Sequence, residues 1–187
     1  DRARFPESRL GNLHADAFRW AADADVALVN TPMFRVGPSL ASEVTVADLM
    51  RVAPFDNRIC AEAVDDETLR DQFAALASES RGHHEVRAHV AGAALRWHRT
   101  ESTLDLVEVT VGGDPLDPDA IYRVAGPSFV FASDVYPHLS PDAMGDAYGH
   151  QHEVVADYLR EVGVPTGTDG RQRAVVDDAE DGARTFR

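Results

Sequence analysis

Lysine is absent. All 18 basic side chains are arginine, set against 32 aspartates and glutamates, for a net charge of -14 over 187 residues. A surface of that sign repels polyanions, which excludes non-specific nucleic-acid binding. An anionic ligand can bind only where several arginines reverse the field locally. Surface carboxylates stay hydrated while salt screens their repulsion, so the composition points to a salt-adapted, halophilic source. A GC-rich genome favours arginine codons and gives the same bias; the two are compatible. Cysteine occurs once, at Cys60, so no internal disulfide forms. Cys60 sits in a strand-like run and is expected to be a small buried hydrophobe. No apolar run approaches the length of a membrane-spanning helix. No signal peptide heads the chain, which is then cytoplasmic, already processed, or cut from something longer. Internal repeats and low-complexity linkers are also missing.

What remains suits one domain. Hydrophobic residues make up 44%, enough for a real core. A helix is expected over Ser8–Ala22, capped by Ser8, with Leu10, Leu13, Ala17, Phe18 and Ala21 on one face. The run Val26–Val29 reads as a buried strand, and Gly37–Pro38 as a turn. Thr45 caps a short helix, Val46–Arg51, and Pro54 breaks the peptide that follows. Asn57–Val64 is a strand. Asp65 or Asp66 caps a helix with the stripe Leu69, Phe73, Leu76. Glu85–Val90 and Ala93–Trp97 read as strands hinged at Gly92. In the strand Leu104–Val111 the alternation slips between Leu106 and Val107, which marks a bulge or burial on both faces. Ile121–Ala125 is a strand and Ser128–Tyr136 an aromatic loop. A last helix, Gln151–Val162, points Val154, Val155, Tyr158, Leu159 and Val162 inward and ends at Gly163 and Pro165. Irregular alternation with consecutive strands in the middle favours an α+β domain, a mixed sheet with flanking helices. The domain covers 1–176; the acidic stretch 177–187 is expected to be a mobile tail.

Chemistry concentrates at element ends. The strand Val26–Val29 empties into Asn30 and a short loop that delivers Arg35. An amide offers a donor and an acceptor, and a guanidinium a planar fork for phosphate or carboxylate. Similar clusters are Arg9-Leu10-Gly11-Asn12, Pro54-Phe55-Asp56-Asn57, and Ser128-Phe129 through Asp134-Val135-Tyr136.

In order and spacing these segments resemble the C-terminal domain of the 5′-nucleotidase family, which includes UDP-sugar hydrolases and cyclic-nucleotide phosphodiesterases. ESRLGNLHADAF resembles the opening helix and ADVALVN the strand before an Asn-Gly-Gly-Gly-Ile-Arg loop. VTVADLMRVAPFDNRI is similar to a segment whose core reads Pro-Phe-Gly-Asn. VRAHVAGAALRW, VTVGGDPLDPDAIYRVA and LREVGVPTGTDGR extend the match over nearly the whole chain. The resemblance implies a nucleotide-recognition domain. In that family an N-terminal metallophosphoesterase domain holds two divalent metal ions and hydrolyses the substrate, and a domain rotation delivers the nucleotide. It implies that Arg9 and Arg35 bind phosphate, with Asn30 at the other end of the loop. Phe55 and Phe129 stack the base, Asn57 closes the Pro-Phe-x-Asn segment, and Asp134 accepts from the ribose hydroxyls. Such enzymes usually act outside the cytoplasm.

The chain departs from this pattern. Thr31-Pro32-Met33-Phe34 replaces the glycines, and Pro32 removes a backbone donor. Ala132-Ser133-Asp134-Val135-Tyr136 stands where the family has Gly-Gly-Asp-Gly-Tyr, and its spacing from the second ring reads one residue shorter, which makes Phe131 a competitor for that ring. These changes support an alternative: a diverged, stand-alone binding or interaction module that has lost its nucleotide. The metal motifs of the N-terminal domain are absent. Gly149-His150-Gln151-His152 resembles its Gly-His-x-His signature at the wrong end of the chain, without companion ligands. His83, His84, His89 and His98 read as solvated or strand-surface residues. This chain is therefore expected to hold no cofactor and to hydrolyse nothing alone.

Overall fold

A computed structural model describes residues 7–35, 43–80, 83–145, 147–164 and 167–176. The expected Gly37–Pro38 turn, Pro165 and the tail 177–187 lie outside the described residues. In chain order the elements are α1 (Arg9–Ala21), β1 (Val26–Asn30), a 3-10 turn (Thr31–Met33), α2 (Val46–Val52), β2 (Arg58–Asp65) and α3 (Asp66–Ala74). Next come β3 (Ala77–Ser80), β4 (His83–Val86), β5 (Ala88–Ala91), β6 (Ala93–Arg99), β7 (Leu104–Val111), β8 (Asp114–Pro115) and β9 (Ile121–Pro127). The chain continues through α4 (Ser128–Ala132), a second 3-10 turn (Pro141–Gly145), β10 (Ala147–His150), α5 (Gln151–Glu161) and β11 (Gln172–Val176).

Ser8 caps α1 by accepting from the Gly11 amide. Thr45 and Asp48 form a reciprocal capping box on α2, and Asp65 caps α3. A five-stranded sheet runs β10-β2-β9-β1-β5; a four-stranded sheet runs β11-β6-β7-β8; β3 and β4 form a separate hairpin. The mixed sheets with flanking helices are the expected α+β architecture. The larger sheet is buried on both faces at β1. Val26 and Leu28 of β1 join a core with Phe73, Leu76, Trp97 and Phe131. Ala27 and Val29 join a second core with Phe18, Leu49, Ile59 and Val155. That is why the run is apolar at every position instead of alternating. Cys60 is buried, and its burial raises the thiol pKa.

The slip in β7 is a bulge. Leu106 pairs with Trp97 and Glu108 with Arg96, so Val107 is the extra residue and points to solvent. Elsewhere the structure corrects the sequence reading. Glu85–Val90 is two strands broken at Arg87. The Arg87 amide donates to the Leu76 carbonyl, and its own carbonyl accepts from the Thr31 amide and the Tyr136 hydroxyl. The chain thereby leaves the β3 hairpin and joins β1 as β5. The segment Ser128–Tyr136 opens with the helical turn α4. Val162 caps α5 and is exposed, because the helix ends at Glu161 and Gly163 takes a left-handed φ of 94°.

The Asp-Gly-Arg run closes the domain onto α1. Arg171 donates bidentately to Asp16, at 2.8 and 2.9 Å, and to the Val90 carbonyl. Glu7 accepts from the Asp169 and Gly170 amides. The Arg171–Asp16 pair is mostly buried, so removing either partner leaves an uncompensated charge.

Candidate functional site

Sheet register gathers the candidate residues at one end. β1 and β9 run parallel with Ala27 beside Ala125, so Asn30 and Ser128 leave the sheet on the same edge. β2 runs antiparallel to β9 with Ile59 opposite Pro127, which brings Phe55–Asn57 to that edge as well. α1 leads into β1 through a short turn, so its N-terminus returns there. Gly11 makes this return possible: a Cβ at that position would lie 2.1 Å from the His89 ring. His89 pairs across the sheet with Val29 and is buried, not a surface residue as its sequence context suggests.

The glycine-free loop is tightly packed. Pro32 is the second residue of the 3-10 turn, where its missing amide costs nothing, and Met33 is fully buried. Phe34 is wedged edge-on against two buried imidazoles, 4.8 Å from His14 and 5.5 Å from His89. His14 Nδ1–H donates to the Leu10 carbonyl. Burial lowers both imidazoles to about 4, so both are neutral at pH 7. Asn30 is buried behind this loop, and its Oδ1 has no partner among the described residues.

The wedge aims Arg35. Its amide donates to the Val52 carbonyl, its Nη1 donates to the Pro32 carbonyl, and its guanidinium lies 4.7 Å from the Phe55 ring centroid. Phe55 is 38% exposed and Phe129 46%, large values for aromatic rings. The rings make no contact with each other, but their bases are tied. Asn57 Oδ1 accepts from the Ser128 hydroxyl, which in turn accepts from the Arg58 amide. Phe131, two residues on, is 1% exposed and belongs to the core, so of the two competing rings only Phe129 faces solvent. The structure thus joins Arg35, Phe55, Asn57 and Ser128–Phe129. Arg9 is exposed in the first turn of α1, and Asp134 is exposed in the turn after α4.

The residue that sequence reasoning missed is Gln151. It is 1% exposed at the start of α5. Its Nε2 donates to the Ala53 and Phe55 carbonyls at 3.0 and 2.6 Å, and its Oε1 accepts from Asn57 Nδ2 at 3.2 Å. Its own amide donates to the Asn57 carbonyl. One buried amide therefore fixes the whole Phe55 loop. Nothing in Gly149–His152 marks it, because an amide before an apolar helix has no local signature. The flanking histidines stay at the surface. His150 Nδ1 lies 2.7 Å from Asp56 Oδ1, and the His150 and His152 rings are 5.8 Å apart. Beside them a shallow groove of about 420 Å³ is lined by Met50, Ala53, Pro54, Phe55, Asp56 and His152. Among the described residues no three His, Cys, Asp or Glu side chains converge to hold a metal ion, and no helix is long and apolar enough to cross a membrane.

Comparison with known proteins gives this geometry a context. A family model described as the 5′-nucleotidase C-terminal domain matches residues 1–140. A 5′-nucleotidase of Vibrio cholerae serotype O1 is 29% identical over 159 residues, covering 83% of this chain and 28% of that protein. Among solved structures, a 5′-nucleotidase precursor from Thermus thermophilus matches with a TM-score of 0.70 at 25% identity, over 90% of this chain and 36% of that one. The Haemophilus influenzae NAD nucleotidase shares the fold, with a TM-score of 0.70 at 18% identity, over 91% of this chain and 33% of that one. The chain spans about a third of the length of the proteins it matches. It belongs to the 5′-nucleotidase C-terminal domain family.

Proposed function

We propose that this chain is the nucleotide-recognition domain of a metal-dependent 5′-nucleotidase-type phosphoesterase. The observation that carries the reading is the convergence, on one sheet edge, of two solvent-facing rings and an arginine. Phe55 and Phe129 are exposed, and the Asn57–Ser128 hydrogen bond ties their bases together. A base binds such rings by its face; stacking contributes roughly 1–3 kcal/mol per base and tolerates any base. Arg35 sits over Phe55, where together with Arg9 it reverses the acidic field locally, and its guanidinium supplies a donor fork for phosphate. Arg9 adds a second cation at the same end, Asn30 and Asn57 add amide groups, and Asp134 accepts from the ribose hydroxyls. The domain occupies 1–176, and hydrolysis falls to an N-terminal domain that holds two divalent metal ions. The lysine-free acidic surface suits work in concentrated salt.

The packed turn Thr31–Met33 favours a second reading, a diverged interaction module, because it presents fewer backbone donors than a glycine loop. The division of labour is tested by incubating the purified chain with AMP and manganese or zinc. Phosphate release is expected at the uncatalysed background. Release above background that requires added metal contradicts the assignment of hydrolysis to another domain.

A further inference from the structure

Two residues far apart in the chain meet in space. Asp56 stands where the resembled segment has glycine, and His150 belongs to the Gly149–His152 run that leads into α5. They are 94 positions apart, yet β2 and β10 pair with Arg58 opposite His150, and His150 Nδ1 lies 2.7 Å from Asp56 Oδ1. Asp56 is 81% exposed at its side chain, so its second oxygen stays open to a ligand. Asp56 also lines the groove that runs along Phe55, beside Met50, Pro54 and His152. Arg35 is not part of that lining; it covers the ring elsewhere, at 4.7 Å.

We propose that this groove reads the edge of the base, and that Asp56 is the specificity-determining residue. The inference rests on the nucleotide-recognition reading above. An aromatic ring with apolar walls accepts any base by its face. A carboxylate is acceptor-only, so beside that ring it selects donors and repels ring carbonyls. The ligand class it selects is a purine whose edge carries an exocyclic amino group. His150 is a positioning residue: its ring N–H holds one carboxylate oxygen and leaves the other to the ligand. A glycine at position 56 makes no such selection.

The test is calorimetric titration of the 187-residue chain with two nucleoside pairs that each differ by one amino group. These are adenosine against purine riboside, and guanosine against inosine. In at least one pair the amino compound is expected to bind about tenfold tighter, the effect of one hydrogen bond to a charged group. Asp56→Gly is expected to bring that pair within about twofold by weakening the amino member alone. His150→Phe is expected to narrow the gap without weakening the amino-free member. Asp56 is exposed, and coincident thermal melts confirm that its variants fold. Equal binding within both pairs, or a preference that survives Asp56→Gly, overturns the proposal and leaves base stacking intact. No binding of any nucleoside overturns the nucleotide reading itself, and this proposal with it.

Discussion

Acidification from pH 6.5 to pH 4 is expected to destabilise the chain by about 1.4 kcal/mol per pH unit for each of two histidines. His14 and His89 are buried, and burial lowers both to about 4 from an ordinary 6.5. In the unfolded chain they take up protons as pH falls through 6.5; in the folded chain they resist until about pH 4. The unfolded state therefore binds more protons across that window. The contribution of the two histidines is full above pH 6.5, declines as pH falls, and levels off below pH 4. The repulsion between the two imidazoles adds to the effect, since His14 is a cause of the shift at His89. The loss acts on function as well, because these rings grip Phe34 and so place Arg35. Urea unfolding at pH 4.5, 5.5, 6.5 and 7.5 in constant high salt measures it. His14→Phe, among aromatic neighbours Phe18 and Phe34, is expected to remove about half the slope. Parallel stability profiles for the two proteins would refute the burial argument.

Gln151→Leu carries the second large effect. Leucine nearly matches the volume but strands two backbone carbonyls and one side-chain amide, each costing about 1–3 kcal/mol when left unsatisfied. A loss of about 3 kcal/mol in urea unfolding is expected. Gln151→Glu keeps the acceptor for Asn57 but turns the donor into a charge facing two carbonyls, so it is expected to be no better. The loop it releases carries Phe55 and Asn57, so a surviving folded fraction should bind nucleoside weakly. A stability change under about 1 kcal/mol would show that water replaces the amide and that the clamp is incidental.

Much of this architecture is legible in the sequence because its signals are local. Ser8, Thr45 and the Asp65–Asp66 pair announce helix starts, and Ser8, Thr45 and Asp65 form the caps. The lost alternation after Leu106 marks a bulge or burial on both faces, and the structure decides for the bulge. What stays hidden depends on partners distant in the chain. β3 reads Ala-Ser-Glu-Ser, with no strand-forming residue, and exists because β4 pairs with it. Arg87 breaks an alternating strand pattern because three backbone and hydroxyl partners from three segments converge on it. His89 looks like a surface residue until Gly11 is seen to make room for it. At the candidate site the motifs supplied Arg35, Phe55, Asn57 and Phe129 as neighbours. Their supports, Gln151 and the Phe34 wedge, lie in segments that depart from the family pattern or carry no motif.

The most direct test of nucleotide recognition is a calorimetric titration of the chain with AMP and adenosine in molar KCl, repeated on Phe55→Ala. Phe55 is exposed, so its removal spares the core. The expected result is binding of both ligands by the unmodified chain, tighter for AMP through Arg35, with roughly 1–3 kcal/mol lost for each in the variant. Absence of heat with either ligand, or binding that Phe55→Ala leaves unchanged, would contradict it and favour the interaction module.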